Sequence, residues 1–179
     1  RACYFGDGVY DVTFSRNYKV YRLREHVERI FASAALLKIY PEITPDALCN
    51  LIQELVQRLD ADEQWVYFQF SRGTDFRNHA FPENATPNLW IMLKPAKIKD
   101  TYRPLRVITR EDTRALHCNI KSLNLLPSVM ATQACVDAGV DECILHRGEI
   151  VTECAHSNVS ILKNGTLITH PACRLPQYN

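Results

Sequence analysis

The apolar residues change period several times along the chain, and each change marks an element. After the turn signal Gly6-Asp7-Gly8, the run Val9-Tyr10-Asp11-Val12-Thr13-Phe14 is β-branched and aromatic and predicts a strand, with residues 17–22 as its hairpin partner. From Arg24 the period lengthens: Val27, Ile30, Phe31, Ala34 and Leu37 share one helical face, which Tyr40-Pro41 closes. Thr44-Pro45-Asp46 opens a second helix, with Thr44 at the N-cap, Pro45 at the first helical position and an apolar stripe of Leu48, Leu51, Ile52, Leu55, Val56 and Leu59. Residues 65–71 and 89–93 predict strands on either side of a polar stretch broken by Gly73 and Pro82. Beyond a basic, proline-punctuated segment over 94–104, the pattern predicts a strand at 105–109 and a helix at 123–138 closed by Gly139. Pro127 is tolerated only in that helix's first turn, so the helix starts late. Strands follow at 142–146 and 149–152, and 159–163 and 166–170 flank Asn164-Gly165, a hairpin signal because a type I′ turn needs positive φ at both central residues.

Helices mixed with hairpins argue for an α+β architecture over a doubly wound parallel sheet. The subdomains expected are 1–96 and 105–179, joined by a linker at 97–104. At 179 residues, 46% hydrophobic and 23% charged, the chain has the composition of a folded domain. Its net charge of +1 carries no overall bias toward nucleic acid or an anionic membrane, so neither is expected as a partner and any anion site is local. The longest apolar run is five residues, 89–93, against the roughly 20 of a membrane-spanning helix. No secretory leader is expected from the N-terminal residues. Seven scattered cysteines without a C-x-x-C pair or zinc spacing read as reduced thiols, with no metal site and a cytoplasmic location expected. Asn-x-Ser/Thr triplets at Asn84, Asn158 and Asn164 weigh little, since they arise often by chance.

Individual residues offer chemistry without deciding it. Lys121, between Ile120 and Ser122-Leu123, is by type an ordinary surface charge. Held among apolar groups, a lysine falls from its usual pKa of about 10.4, and the neutral amine attacks carbonyls. Arg77 and His79 stand two apart, so an extended segment places them on one face, where they grip a carboxylate or remain exposed loop charges. Arg29 is at i+4 from Glu25, an exposed helix pair worth only about 0.2–0.5 kcal/mol. Glu153 suits either a solvent-facing strand position or an acceptor for a ring N–H, and Tyr10 suits the core.

Six motifs in order carry a resemblance: Phe5-Gly6-Asp7-Gly8-Val9-Tyr10, Glu25-His26-Val27-Glu28-Arg29, Tyr67-Phe68-Gln69-Phe70-Ser71-Arg72-Gly73-Thr74, His79-Ala80-Phe81-Pro82-Glu83-Asn84, Ile120-Lys121-Ser122-Leu123-Asn124-Leu125-Leu126, and Ile144-Leu145-His146-Arg147 through Val151-Thr152-Glu153. Along nearly its whole length the chain resembles the D-amino-acid aminotransferases of the fold-type IV (class IV) pyridoxal-phosphate family. The Arg77-x-His79 pair separates that branch from branched-chain aminotransferases and aminodeoxychorismate lyases.

The resemblance implies a fold of two α/β subdomains, here lacking the C-terminal part. It implies pyridoxal 5'-phosphate as cofactor, held by Lys121 as a Schiff base, with Arg29 at the phosphate, His26 in support and Glu153 at the pyridine nitrogen. Tyr10, Arg77 and His79 would take the substrate carboxylate, the last two reaching in from the other subunit of a homodimer. The reaction implied moves an amino group between a D-amino acid, D-alanine expected first, and a 2-oxo acid such as 2-oxoglutarate. Aminodeoxychorismate lyase and R-selective amine transaminase are alternatives on the same fold, and a catalytically impaired remnant acting as an interaction module is one of another class. One departure is Cys154-Ala155-His156-Ser157-Asn158, where the family carries glycine and serines; it puts bulky, titratable His156 at the expected substrate pocket.

Overall fold

Strand β1 (Gly8–Arg16) sets the plan of the N-terminal half, because Val9, Asp11, Thr13 and Ser15 all turn to its buried side. It pairs antiparallel with β3 (Glu63–Ser71), from Gly8 opposite Ser71 to Arg16 opposite Glu63. β3 in turn pairs with β4 (Asn88–Pro95), and β2 (Lys19–Val20) covers only Ser15 and Arg16, giving the order β2-β1-β3-β4. Helices α2 (Leu23–Leu36) and α3 (Pro45–Arg58) supply the other half of the core, with Val27, Ile30, Ala34, Leu48, Ile52 and Val56 fully buried alongside Val66, Phe68 and Phe70. Burying each large side chain of this kind is worth about 1.5–3 kcal/mol. Thr44 caps α3 as its sequence predicts, accepting from the Ala47 amide at 3.2 Å. Helix α2 ends earlier than its apolar period suggests. Lys38 enters the left-handed region at φ 55, and the Arg72 guanidinium takes the carbonyls of Leu37 and Lys38 at 2.8 and 3.1 Å. A short helix unsignalled by sequence, α1 (Ala2–Phe5), precedes β1.

The computed structural model describes residues 1–169 and divides into two units, Arg1–Asp100 with Ile120–Leu123, and Thr101–Asn119 with Asn124–Asn179. The assignment of everything past residue 105 to the second subdomain therefore needs a correction at Ile120–Leu123. Because β2 is so short, the edge of β1 at Gly8–Tyr10 lies open, and this segment fills it. The Tyr10 amide donates to the Lys121 carbonyl at 2.9 Å and the Leu123 amide to the Gly8 carbonyl at 3.0 Å, with Val9 and Ser122 paired between them. Close approach needs the glycine: a Cβ on Gly8 would lie 2.7 Å from Leu123 Cδ1 and 2.5 Å from the Phe70 carbonyl oxygen.

In the second unit, β5 (Val107–Glu111) and β6 (Glu142–Arg147) run parallel, joined by α4 (Leu126–Asp137), and β7 (Ile150–Cys154) adds antiparallel to β6. Pro127 sits in the first turn of α4, which accounts for its late start. Ala131, Cys135, Cys143, Leu145 and Ala155 form a small core, and burial pushes the Cys143 thiol up to about 11, so it packs as an apolar group. Six cysteines are free thiols, and Cys173 lies outside the described residues. Strands β8 (Ser160–Lys163) and β9 (Thr166–Thr169) form a separate hairpin, with Asn164 and Gly165 at φ 50 and 74 as their turn requires; the expected end of β9 at His170 is outside the described residues. No helix among the described residues is long and apolar enough to cross a membrane.

The tight seat at Gly8 yields a prediction. Gly8→Ala should lower stability by about 1–3 kcal/mol, read from urea unfolding. The same variant should raise protease sensitivity near residues 120–123, because the added methyl meets Leu123 and fixed backbone.

Candidate functional site

Lys121 reaches its place through its own main chain, paired to β1 and bound to a serine on α2. Its carbonyl is bound by Tyr10, and its amide donates to Ser33 Oγ on α2 at 3.3 Å. The side chain then lies against Tyr10, with Nζ 3.5 Å from the phenol oxygen and 4.6 Å from the ring centroid. Among the described residues no carboxylate stands within ion-pair distance of Lys121, so its amine is not committed to a salt bridge. Tyr10 is not a core residue but belongs to the sheet face turned away from the helices. It stacks on Tyr67 at 5.7 Å, and Tyr67 stacks on Trp65 at 5.4 Å. Burial, with Tyr10 beside it, pushes Tyr67 up to about 12, so it remains a neutral phenol that donates to Gln69 Oε1 at 2.6 Å.

One residue along, Asp11 points to the opposite face and organises a second group. Arg29 grips it with both edges, Nε to Oδ2 at 2.7 Å and Nη2 to Oδ1 at 2.8 Å, and His26 Nδ1 stands 2.9 Å from Oδ1. The Asp11 side chain is wholly buried while Arg29 keeps 40% of its side chain exposed. Burial alone would raise the Asp11 carboxyl, but hydrogen bonds and charge from Arg29 and His26 outweigh it and hold it below the usual range. The same pairing raises Arg29. The Glu25–Arg29 helix pair expected from i+4 spacing does not form, because Glu25 pairs with Arg22 at 2.9 Å and Arg29 turns inward to Asp11. What remains is a fixed guanidinium whose Nη1 donates to no described residue, a geometry suited to a phosphate.

Arg77 and His79 lie in the irregular segment after β3, both exposed, and both approach the ring of Phe5: the Arg77 guanidinium carbon at 5.4 Å and the His79 ring at 5.1 Å between centroids. The segment is bent rather than extended, yet one aromatic platform brings the two side chains together. Its root is held by Arg72, whose Nε donates to Asp7 at 2.9 Å while Phe81 covers its guanidinium at 3.6 Å.

Glu153 belongs to the second unit and lies beside a buried ion network. Arg114 Nη1 donates to Glu153 Oε2, while its Nε and Nη2 go to Asp112 at 3.0 and 3.2 Å. Thr152 Oγ1 donates to Asp112 at 3.0 Å, and Arg147 Nε stands 3.4 Å from the same carboxylate. Burial would raise Asp112 and lower Arg114, but their mutual hydrogen bonds and charges reverse both directions. His156 sits 3.3 Å from Glu142, which also accepts from Ser157 Oγ at 2.8 Å, and is half exposed.

Sequence reasoning missed Asp11, Asp112, Arg114 and the Phe5 platform. Asp11 had a readable signal, a charge on the inward period of an otherwise buried strand. Asp112 and Arg114 had none, since Arg110-Glu111-Asp112-Thr113-Arg114 looks like a solvated charge run. No group of three or more metal-ligating side chains occurs among the described residues.

Against known proteins, the sequence profile of the family described as Amino-transferase class IV matches residues 8–176. The D-alanine aminotransferase of Listeria monocytogenes serotype 1/2a (strain 10403S) is 38% identical over 180 residues, covering 98% of this chain and 62% of that protein. That of Staphylococcus epidermidis (strain ATCC 12228 / FDA PCI 1200) is 37% identical over 175 residues, covering 96% and 62%. The chain thus spans about 62% of the length of these relatives. Among solved structures, the branched-chain amino acid aminotransferase from Escherichia coli aligns with a TM-score of 0.85 at 19% identity, covering 96% of this chain and 59% of that one. A putative 4-amino-4-deoxychorismate lyase from Legionella pneumophila aligns at 0.82 and 22%, covering 94% and 63%. At such identities these two show the fold alone.

The buried carboxylates make stability depend on acid in a defined direction. Asp7, Asp11 and Asp112 all lie below their ordinary range when folded. Their contribution is complete above the unfolded value of about 3.9 and is lost as pH falls through the depressed native values. In urea unfolding across this range, Asp11→Asn should lose roughly 3 kcal/mol near neutrality and show a shallower acid decline. An unchanged acid slope would exclude Asp11 as a contributor.

Proposed function

This chain belongs to the class IV aminotransferases, and on that premise we propose that it serves a transaminase moving an amino group between a D-amino acid, D-alanine first, and a 2-oxo acid such as 2-oxoglutarate. The observation that carries the reading is the Lys121 amine, seated on Tyr10 with no carboxylate partner among the described residues. The D-amino-acid branch is favoured because the relatives at 37–38% identity are named D-alanine aminotransferases, and because Arg77 and His79 stand together over Phe5.

Pyridoxal 5'-phosphate, the family's cofactor, supplies when bound an aldehyde for covalent attachment and a conjugated ring that takes up the electron pair left as a Cα–H bond breaks. The residues present fit that group by chemistry: a primary amine, a fixed guanidinium and a carboxylate with one oxygen to spare. Lys121 Nζ would make the covalent attachment and, once the substrate amine has displaced it from that bond, would be the free base that takes the proton from the substrate Cα and the acid that gives it back. Arg29, held by Asp11 and braced by His26, binds the phosphate without having to find its orientation. Glu153 would face the ring nitrogen and accept a hydrogen bond from it, favouring the protonated ring. Tyr10, Arg77 and His79 bind the substrate carboxylate, the latter two from the other protomer of a homodimer. Fixing the carboxylate decides which hand of amino acid presents its Cα–H to Lys121. His156 borders the substrate pocket, steadied by Glu142.

Borohydride reduction of the protein with pyridoxal 5'-phosphate, followed by peptide mapping, should label Lys121, and Lys121→Ala should abolish the label. Arg77→Ala should reduce kcat/KM for D-alanine by more than about ten-fold. Label without D-alanine-dependent pyruvate formation would point to an aminodeoxychorismate lyase, an R-selective amine transaminase or an impaired remnant, and no label would end the proposal.

A further inference from the structure

The carboxylate that would meet the ring nitrogen is not free to choose its own geometry. Glu153 uses Oε2 for Arg114, and among the described residues its Oε1 has no hydrogen-bond partner. Arg114 is itself immobilised. Its amide, Nε and Nη2 all donate to Asp112, at 3.0, 3.0 and 3.2 Å, so the guanidinium plane is set before Glu153 is considered. Asp112 is wholly buried and also receives Thr152 Oγ1, on the strand that carries Glu153. Arg147 closes the network by donating to the Arg114 carbonyl at 2.9 Å.

We propose that Arg114 is the positioning residue for Glu153: it holds one carboxylate oxygen so that the other is presented to the cofactor's ring nitrogen. This rests on the function proposed above. The division of its donors gives Arg114 this role. A lone arginine on Glu153 would satisfy the carboxylate and weaken it as an acceptor. Here Nε and Nη2 go to Asp112 and Nη1 to Glu153, so Glu153 receives a single contact from this arginine and keeps its outer oxygen.

The test compares two cofactors on the apo protein by binding titration: pyridoxal 5'-phosphate and its 1-deaza analogue, which has carbon in place of the ring nitrogen. Arg114→Lys keeps the charge but cannot span both carboxylates. It should weaken pyridoxal 5'-phosphate by about ten-fold and leave the deaza analogue unchanged. In a Glu153→Gln background the same substitution should cost nothing further. Equal loss for both cofactors, or none for either, would overturn the positioning role while the wild type still binds through Lys121. A wild type that binds neither cofactor through Lys121 would overturn the proposed function and this inference with it. Should Arg114→Lys fail to fold by circular dichroism, Glu153→Gln carries the comparison: it must lose affinity for pyridoxal 5'-phosphate alone, and equal loss for both cofactors refutes the ring-nitrogen contact on which the role depends.

Discussion

The two-residue period of β1 is the constraint on which the first unit depends. Tyr10 and Asp11 are neighbours in sequence and therefore face opposite sides of the sheet, so one strand serves an aromatic surface holding Lys121 and a buried carboxylate holding Arg29. A register slip of one residue against β3 would exchange those faces, burying a phenol among the helices and exposing the aspartate. The long, unbroken pairing from Gly8 to Arg16 opposes such a slip. Site and core are thus specified by the same hydrogen bonds, and neither can be altered alone.

A second regularity is the use of buried aspartates to fix arginines. Asp7 holds Arg72 and Arg1, Asp11 holds Arg29, and Asp112 holds Arg114. A buried ion pair is an uncertain source of stability, because desolvating both charges costs about as much as their attraction returns. Its surer effect is geometric: a bidentate guanidinium loses its torsional freedom on folding rather than on meeting a ligand. Arg29 and Arg114 each keep one donor outside their aspartate, Nη1 in the first case and the Nη1 used by Glu153 in the second. Acid destabilisation follows from the same arrangement, since protonating the aspartate releases the arginine it orients.

The fold was largely legible where a single period ran long enough. Thr44-Pro45, the α3 stripe and Asn164-Gly165 were readable because cap, period and turn chemistry act within a few residues. The end of α2 was not, because it depends on Arg72, which arrives from β3. The site divides in the same way. The expectation that Lys121, Arg29, Arg77, His79 and Glu153 share a site came only from the ordered set of motifs; singly, each looks like surface charge. Arg29 misled local reasoning because Glu25 is near in sequence whereas Asp11 comes from another element. The seat of Lys121 in the first unit depends on pairing between residues more than a hundred positions apart, which no periodicity records.

The amine and the acid are consequently held by different physics. Lys121 is placed by main-chain hydrogen bonds of its segment to Gly8 and Tyr10, which depend on few side chains beyond Ser33 at its amide and the glycine that admits the approach. Glu153 is placed by a side-chain network in which each member has a buried charge to satisfy, so the removal of one strands another. Divergence within such a fold should therefore alter residues that fringe the carboxylate before it alters the amine's seat. The stretch Cys154-Ala155-His156 fits that expectation. It follows Glu153 directly and directs its histidine to Glu142, leaving the Asp112 and Arg114 contacts intact.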